Sequence, residues 1–187
     1  MDEEKLREYE FLDSNRILAG YDKMNIVGVC EGLKQVTELE VIESKEAIEA
    51  AKQLIETALD VLGLVYYKED RSEHFAPDSV CTQYYVAKTS EALDRMREAN
   101  KKFASVDHQE EADRERGRLF GFPETAIEYF VSNRGSGIEE NPCDDNPKYH
   151  SYKHSSEHAE EEYGQYEKKI EELFRKYCPK SAEEFLD

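Results

Sequence analysis

The sequence predicts an α+β fold: a helix-rich single domain with a small antiparallel sheet and a long C-terminal helix. Three observations predict it. Ile48, Ala51, Ile55, Ala58, Leu59 and Leu62 recur at helical steps, as in a helix with one buried face. Leu64-Val65-Tyr66-Tyr67 and Gln83-Tyr84-Tyr85-Val86-Ala87 are runs of β-branched and aromatic residues that suit a pleated surface and read as partner strands. Ala159, Tyr163, Tyr166, Ile170, Leu173 and Tyr177 alternate steps of four and three, a narrow apolar seam along one helix.

In chain order, residues 3–21 read as an N-terminal helix with Leu6, Tyr9, Leu12, Ile17 and Tyr21 loosely on one side. Ile26-Val27-Gly28-Val29-Cys30 fits a short strand or a buried helix start equally well, and Val36 to Ile42 alternates weakly, as a strand would. Ser44 is the expected N-cap of the helix that runs to Leu62, and Gly63 ends it. Lys68 to Ser79 reads as a long polar loop. Thr89 or Ser90 then caps a helix through about Lys101 that buries Leu93 and Met96. Asp107 and Glu110 fit a capping box for a helix over roughly 108–120. Gly121 closes that helix, and Pro123 suits the first turn of the next, where no amide donor is needed. Ile127, Phe130 and Val131 form its apolar face.

Residues 132–149 have turn composition and mark a boundary. The division is an α+β core over 1–148 and a C-terminal helical segment over 149–187, packed on the core or on a partner. A helix from about Ser155 to Tyr177 carries the apolar seam, Pro179 stops it, and Ser181 with Glu184 fits the capping box of a terminal turn.

Asp and Glu outnumber Lys and Arg 43 to 25, a formal net charge of −18. Such a surface repels phosphate backbones and anionic lipid, so no nucleic acid and no membrane is expected as a partner. High-salt adaptation is one reading of the charge, although lysine still supplies 15 of the 25 basic residues. The start Met1-Asp2-Glu3-Glu4-Lys5 is unlike a secretory leader, and no apolar run approaches membrane-spanning length. Cys30, Cys81, Cys143 and Cys178 form no CxxC pair, so reduced thiols in a cytoplasm are expected.

Two patterns bear on chemistry. His150, His154 and His158 recur at steps of four. His154 and His158 would project from one helix face, an arrangement that suits zinc or a similar divalent ion. Glu161 would serve as a further ligand or an acceptor behind the histidines, and Cys143 as a ligand from the preceding loop. Against this, histidines set among Ser, Lys and Glu are commonly just solvated. The second pattern is the Gly117–Phe130 corner, where Glu124 sits at a helix N-terminus beside aromatic residues, a position also explained by the helix dipole alone.

The segment Gly117-Arg118-Leu119-Phe120-Gly121-Phe122-Pro123-Glu124 resembles a motif of an uncharacterised, largely archaeal family whose members carry Gly-Arg-Leu-Leu-Gly-Tyr-Pro and then two cysteines. Tyr84-Tyr85-Val86-Ala87-Lys88-Thr89 is similar to that family's strand-then-helix pattern, and Tyr149 to Ser155 would occupy its His-x-Pro-Cys region. The resemblance covers about half of the chain and implies no known reaction. Where the family has paired cysteines, this chain has Thr125 and Ala126, so any metal or redox chemistry resting on those thiols is absent here.

Two functions follow as expectations. The first is a small binding or regulatory module acting through its C-terminal helix, with Tyr163, Tyr166 and Ile170 exposed to a protein partner or a second copy. The alternative is a metal-binding protein or metal-dependent hydrolase that uses His154 and His158 with loop residues.

Overall fold

A computed structural model describes residues 3–71, 78–134 and 157–187. It is an α+β domain in which a three-stranded antiparallel sheet lies between helices. The elements are α1 (Glu3–Ser14), α2 (Gly20–Cys30), β1 (Val36–Ser44), α3 (Ile48–Val61), β2 (Val65–Arg71), β3 (Ser79–Ala87), α4 (Ser90–Phe103), α5 (Gln109–Leu119), α6 (Glu124–Ser132), α7 (Ala159–Gln165), α8 (Glu167–Tyr177) and α9 (Pro179–Leu186). A single 3₁₀ turn, Val106–His108, precedes α5.

The strand order is β1-β3-β2, so β3 is central and antiparallel to both neighbours. The expected pairing of β2 with β3 is present, and β1 joins on the far side. Alternation along the strands divides the core. Leu39, Val41, Tyr84 and Val86 face α2, α3 and the C-terminal helices, with Met24, Ile55, Leu59, Ile170 and Phe174. Val36, Tyr85 and Ala87 face α4 and α5, with Leu93, Met96 and Leu119.

The N-terminal helix expected over 3–21 is two helices. The Asn15 side-chain oxygen accepts from the amides of Ile17 (2.9 Å) and Leu18 (3.1 Å), a local turn that competes with helix continuation. The chain restarts at Gly20, and Ile26–Cys30 becomes the second half of α2. Met24, Ile26, Val27 and Val29 are all fully buried, because α2 runs through the interior. Three cap expectations also change. Ser44 ends β1, and its hydroxyl accepts from Ala47 N (3.3 Å) one turn ahead of α3. Asp107 lies in the 3₁₀ turn, and Glu110 pairs with Arg114 (3.4 Å). Ser181 lies inside α9, where Asp13 on α1 does the capping: its carboxylate accepts from the amides of Lys180 and Ser181 (3.2 and 2.8 Å). Thr89, by contrast, caps α4 as expected by accepting from Ala92 N (3.3 Å).

The long C-terminal helix bends once, at Tyr166, between α7 and α8. Its seam grips the domain core. Tyr166, Ile170 and Tyr177 of the seam lie in the main cluster beside α2, where Phe174 is fully buried and the expected Leu173 only partly so, and Tyr177 stacks on Tyr9 of α1 with ring centroids 4.3 Å apart. No helix among the described residues is long and apolar enough to cross a membrane.

The Gly117–Phe130 corner is a docking device. At Gly121, φ is +78°, and a Cβ there would lie 2.0 Å from the Leu33 carbonyl oxygen, so only glycine lets the corner meet the Leu33–Lys34 backbone. Leu119 O accepts from Gln35 N (2.9 Å), and Phe122 packs edge-on against Tyr166 at 5.7 Å. Phe130 departs from the expected apolar face of α6. It is 43% exposed, while Ala126, Ile127 and Val131 are buried.

Candidate functional site

Cross-strand register builds the site. Glu38 of β1 and Tyr67 of β2 both pair with Tyr85 of β3, which places the three side chains in one row on the face beneath α4 and α5. Tyr67 and Tyr85 stack with centroids 4.6 Å apart and an interplanar angle of 18°. Above them, Arg97, Asn100 and Lys101 stand three and four residues apart on α4, one flank of that helix. The Arg97 guanidinium sits 4.2 Å from the Tyr67 ring centroid, a cation over a π face. From α5, Arg116 reaches down to Glu38 (3.3 Å) and lies 5.1 Å from the Phe103 ring centroid.

These residues surround a hollow of about 610 Å³ lined by Tyr67, Glu69, Tyr85, Arg97, Asn100, Lys101, Phe103 and Arg116. The lining holds three cations and one carboxylate, and each cation is also paired with a carboxylate at its edge: Arg97 with Asp94 (2.9 Å), Lys101 with Glu98 (2.6 Å) and Arg116 with Glu38 (3.3 Å). Two donors in the lining lack an acceptor among the described residues: the Tyr67 hydroxyl, which has the Asn100 amide as a donor neighbour, and Arg116 Nε are both shielded from solvent. Burial, with Tyr85 and Glu69 close by, pushes the Tyr67 hydroxyl well above the usual phenol range, so it remains a donor at physiological pH. A buried donor without a partner is costly, and an acceptor that enters the hollow would recover that loss.

A second unusual group lies under the corner. Lys34 is buried, and its Nζ donates to Asn25 Oδ1 (2.6 Å) and sits 5.9 Å from the Tyr166 ring centroid. Its stem packs on α2, where a Cβ at Gly28 would come within 3.1 Å of Lys34 Cγ. Burial lowers the amine to about 7, against the opposing pull of the Glu38 carboxylate.

The residues expected to carry function are placed differently. Glu124 opens α6 and is gripped across the corner by Arg118 (Nε to Oε2, 3.1 Å), which holds its carboxyl below the usual range. It is a bridge between α5 and α6. Tyr166 and Ile170 are 2% and 0% exposed, which corrects the expectation of an exposed stripe: their side chains fill the core against α2. Tyr163 lies in α7, and its side chain is outside the described residues. Of the metal-ligand set, His150, His154 and Cys143 lie outside the described residues. His158 is exposed just before α7, with Nδ1 3.9 Å from Glu161 Oε2. No group of three or more His, Cys, Asp or Glu side chains suited to a metal ion occurs among the described residues.

The Tyr67 hollow was legible only in part. The strands that carry Tyr67 and Tyr85 and the helix that carries Arg97 were expected, but nothing local fixes which face of the sheet α4 covers. Lys34 gave no signal beyond being a lone lysine near two apolar runs. Comparison with family models, with curated proteins and with solved structures yields no match for the chain.

Proposed function

We propose that this protein is a small binding module that holds an anionic organic ligand with a flat apolar part in the hollow between Tyr67, Arg97 and Arg116. One observation carries the reading: two shielded donors in the lining of the hollow, Tyr67 OH and Arg116 Nε, have no acceptor among the described residues. The hollow falls within the range of small-molecule sites, about 300–1,000 Å³. The stacked tyrosines offer an apolar wall, and the arginines offer charge-assisted bonds to carboxylate or phosphate oxygens. The reading keeps the binding class expected from the sequence and moves its seat from the C-terminal helix to the sheet.

Thermal melts with benzoate and phenyl phosphate test it, with Tyr67→Phe as the control that removes the hydroxyl at nearly constant volume. A ligand at a hundred times its dissociation constant stabilises the native state by about 2.7 kcal/mol, which for a chain of this size raises the melting temperature by roughly 5–10 °C. The shift is expected in the parent and at least halved in the variant. Equal shifts in both proteins, or none with either anion, would sink the reading.

A further inference from the structure

A second hollow, of about 610 Å³, opens where α9 meets the turn between α1 and α2, on the side of the molecule built from helices. At its base three groups converge. Lys23 Nζ donates to Ser181 Oγ (2.9 Å) and to the Asp13 carbonyl (2.9 Å), and Ser181 Oγ donates to the same carbonyl (3.1 Å). Ser181 and Lys23 are 5% and 6% exposed, yet both line the hollow. Arg16 and Lys180 line it too, and neither forms a salt bridge among the described residues. The Asp13 carboxylate is engaged by the amides of Lys180 and Ser181.

We propose that Ser181 is a nucleophile toward small esters that carry an anionic group, with Lys23 as its base. Serine is unreactive until a neighbouring group takes its proton, and a lysine in hydrogen-bond reach can do so once it is neutral. Burial favours that neutral form, since it lowers the amine from its ordinary value, while Asp13, Cys178 and Glu184 work against the shift. When the ammonium gives up one proton, the 2.9 Å contact reverses and the hydroxyl donates to nitrogen. As Oγ bonds to the ester carbon, the hydroxyl proton passes to Lys23 and the carbonyl pair moves to its oxygen. Collapse expels the alcohol, which takes the proton back from Lys23. Water then attacks the acyl-serine by the same route, releasing the acid and restoring the serine. Arg16 and Lys180, which form no salt bridge among the described residues, set the substrate class by attracting a carboxylate or phosphate on the ester, against the Glu184 carboxylate that shares the lining.

The same contacts also fasten α9 to α1 and α2, so the test must separate fastening from chemistry. The full chain is incubated with a fluorophosphonate probe and the adduct is located by peptide mass. The expected result is modification at Ser181, with a rate that rises with pH and levels off below 10.5 as the lysine becomes neutral. Lys23→Arg keeps a cation that can bond Asp13 and Ser181 but cannot accept a proton. It is expected to label roughly 100-fold more slowly, in line with the loss of a general base. No adduct at Ser181 in the folded parent would overturn the proposal. So would a labelling rate in Lys23→Arg equal to that of the parent, or a parent rate that climbs with hydroxide without levelling. The parent's pH profile decides the matter even where the variant fails to fold.

Discussion

Lys34→Met should stabilise the protein at neutral pH, and its advantage should shrink as the pH rises. In the folded chain the Lys34 amine titrates near 7, against 10.5 when unperturbed. Between those values the unfolded chain binds a proton that the folded chain does not, so wild-type stability gains from this group as pH rises. At 1.36 kcal/mol per decade of proton affinity, the amine costs the folded state about 4 kcal/mol at pH 7 and about 2 kcal/mol at pH 9. Methionine fills similar space without a charge, although it leaves Asn25 Oδ1 unpartnered at roughly 1–3 kcal/mol. The net gain at pH 7 is then about 2 kcal/mol, and the pH-dependent part alone is also about 2 kcal/mol.

The assay is urea unfolding followed by circular dichroism at pH 7, 8 and 9, for parent and variant together. Other groups titrate near this range. Asp22 is raised to about 6 by burial, and the thiols of Cys30 and Cys178 are raised to about 11 and about 12, mainly by burial. They titrate alike in both proteins and cancel in the difference, which isolates Lys34. A difference that stays constant from pH 7 to pH 9 would refute the reasoning, because it would mean that the amine ionises in the folded protein much as it does in water.

Three further outcomes are expected. Glu31 accepts from Tyr9 (2.5 Å), Tyr177 (3.1 Å) and Lys5 (2.8 Å), which hold its carboxyl below the usual range against the opposing effect of burial. Its contribution is present above the ordinary carboxylate value of 4.5 and is lost as pH falls through the lower folded value. Glu31→Gln should therefore destabilise by about 2 kcal/mol at pH 7 and much less near pH 3, read from denaturation midpoints. Gly121→Ala puts a Cβ 2.0 Å from Leu33 O at φ +78°, so a loss of at least about 2 kcal/mol is expected in thermal melts. His158→Ala should change stability by less than about 0.5 kcal/mol, because the side chain is solvated. A chelator-induced fall in melting temperature seen in the parent and not in the variant would contradict that expectation.

Much of the fold was legible because periodicity reports directly on one-sided burial. The face Ile48, Ala51, Ile55, Ala58 and Leu59 on α3 is buried, as its spacing requires. The pairing of β2 with β3 followed from composition and proximity. Periodicity fails for α2, because a helix buried on nearly every side has no polar face to set the phase, and Ile26–Cys30 then reads as strand or helix alike. The break between α1 and α2 rests on one side chain, Asn15, whose bonds to two amides outweigh the propensity of the flanking residues. Phe130 shows the opposite failure: its hydrophobicity suggested a buried face, but helix rotation leaves it in solvent beside the buried Val131.

The candidate site was less legible for a different reason. The Tyr67 hollow depends on a register between strands and on which flank of α4 and α5 overhangs the sheet, and both are long-range choices. Tyr67, Arg97 and Arg116 lie on three elements, so no spacing within any one of them marks the set. The Gly117–Phe130 corner sits between these two scales. Locally it reads as a helix stop and a restart. In three dimensions its Gly121 brings the chain against Leu33–Lys34, and its Phe122 packs on the Tyr166 ring that faces the Lys34 amine. A substitution at Gly121 therefore acts on two things at once, the turn itself and the enclosure of a buried charge. If the enclosure matters, Gly121→Ala should admit water to Lys34 and raise its proton affinity, so that the pH-dependent gain from Lys34→Met is smaller in the Gly121→Ala background than in the parent. If the gain from Lys34→Met and the loss from Gly121→Ala simply add at every pH, the corner is a turn and nothing more.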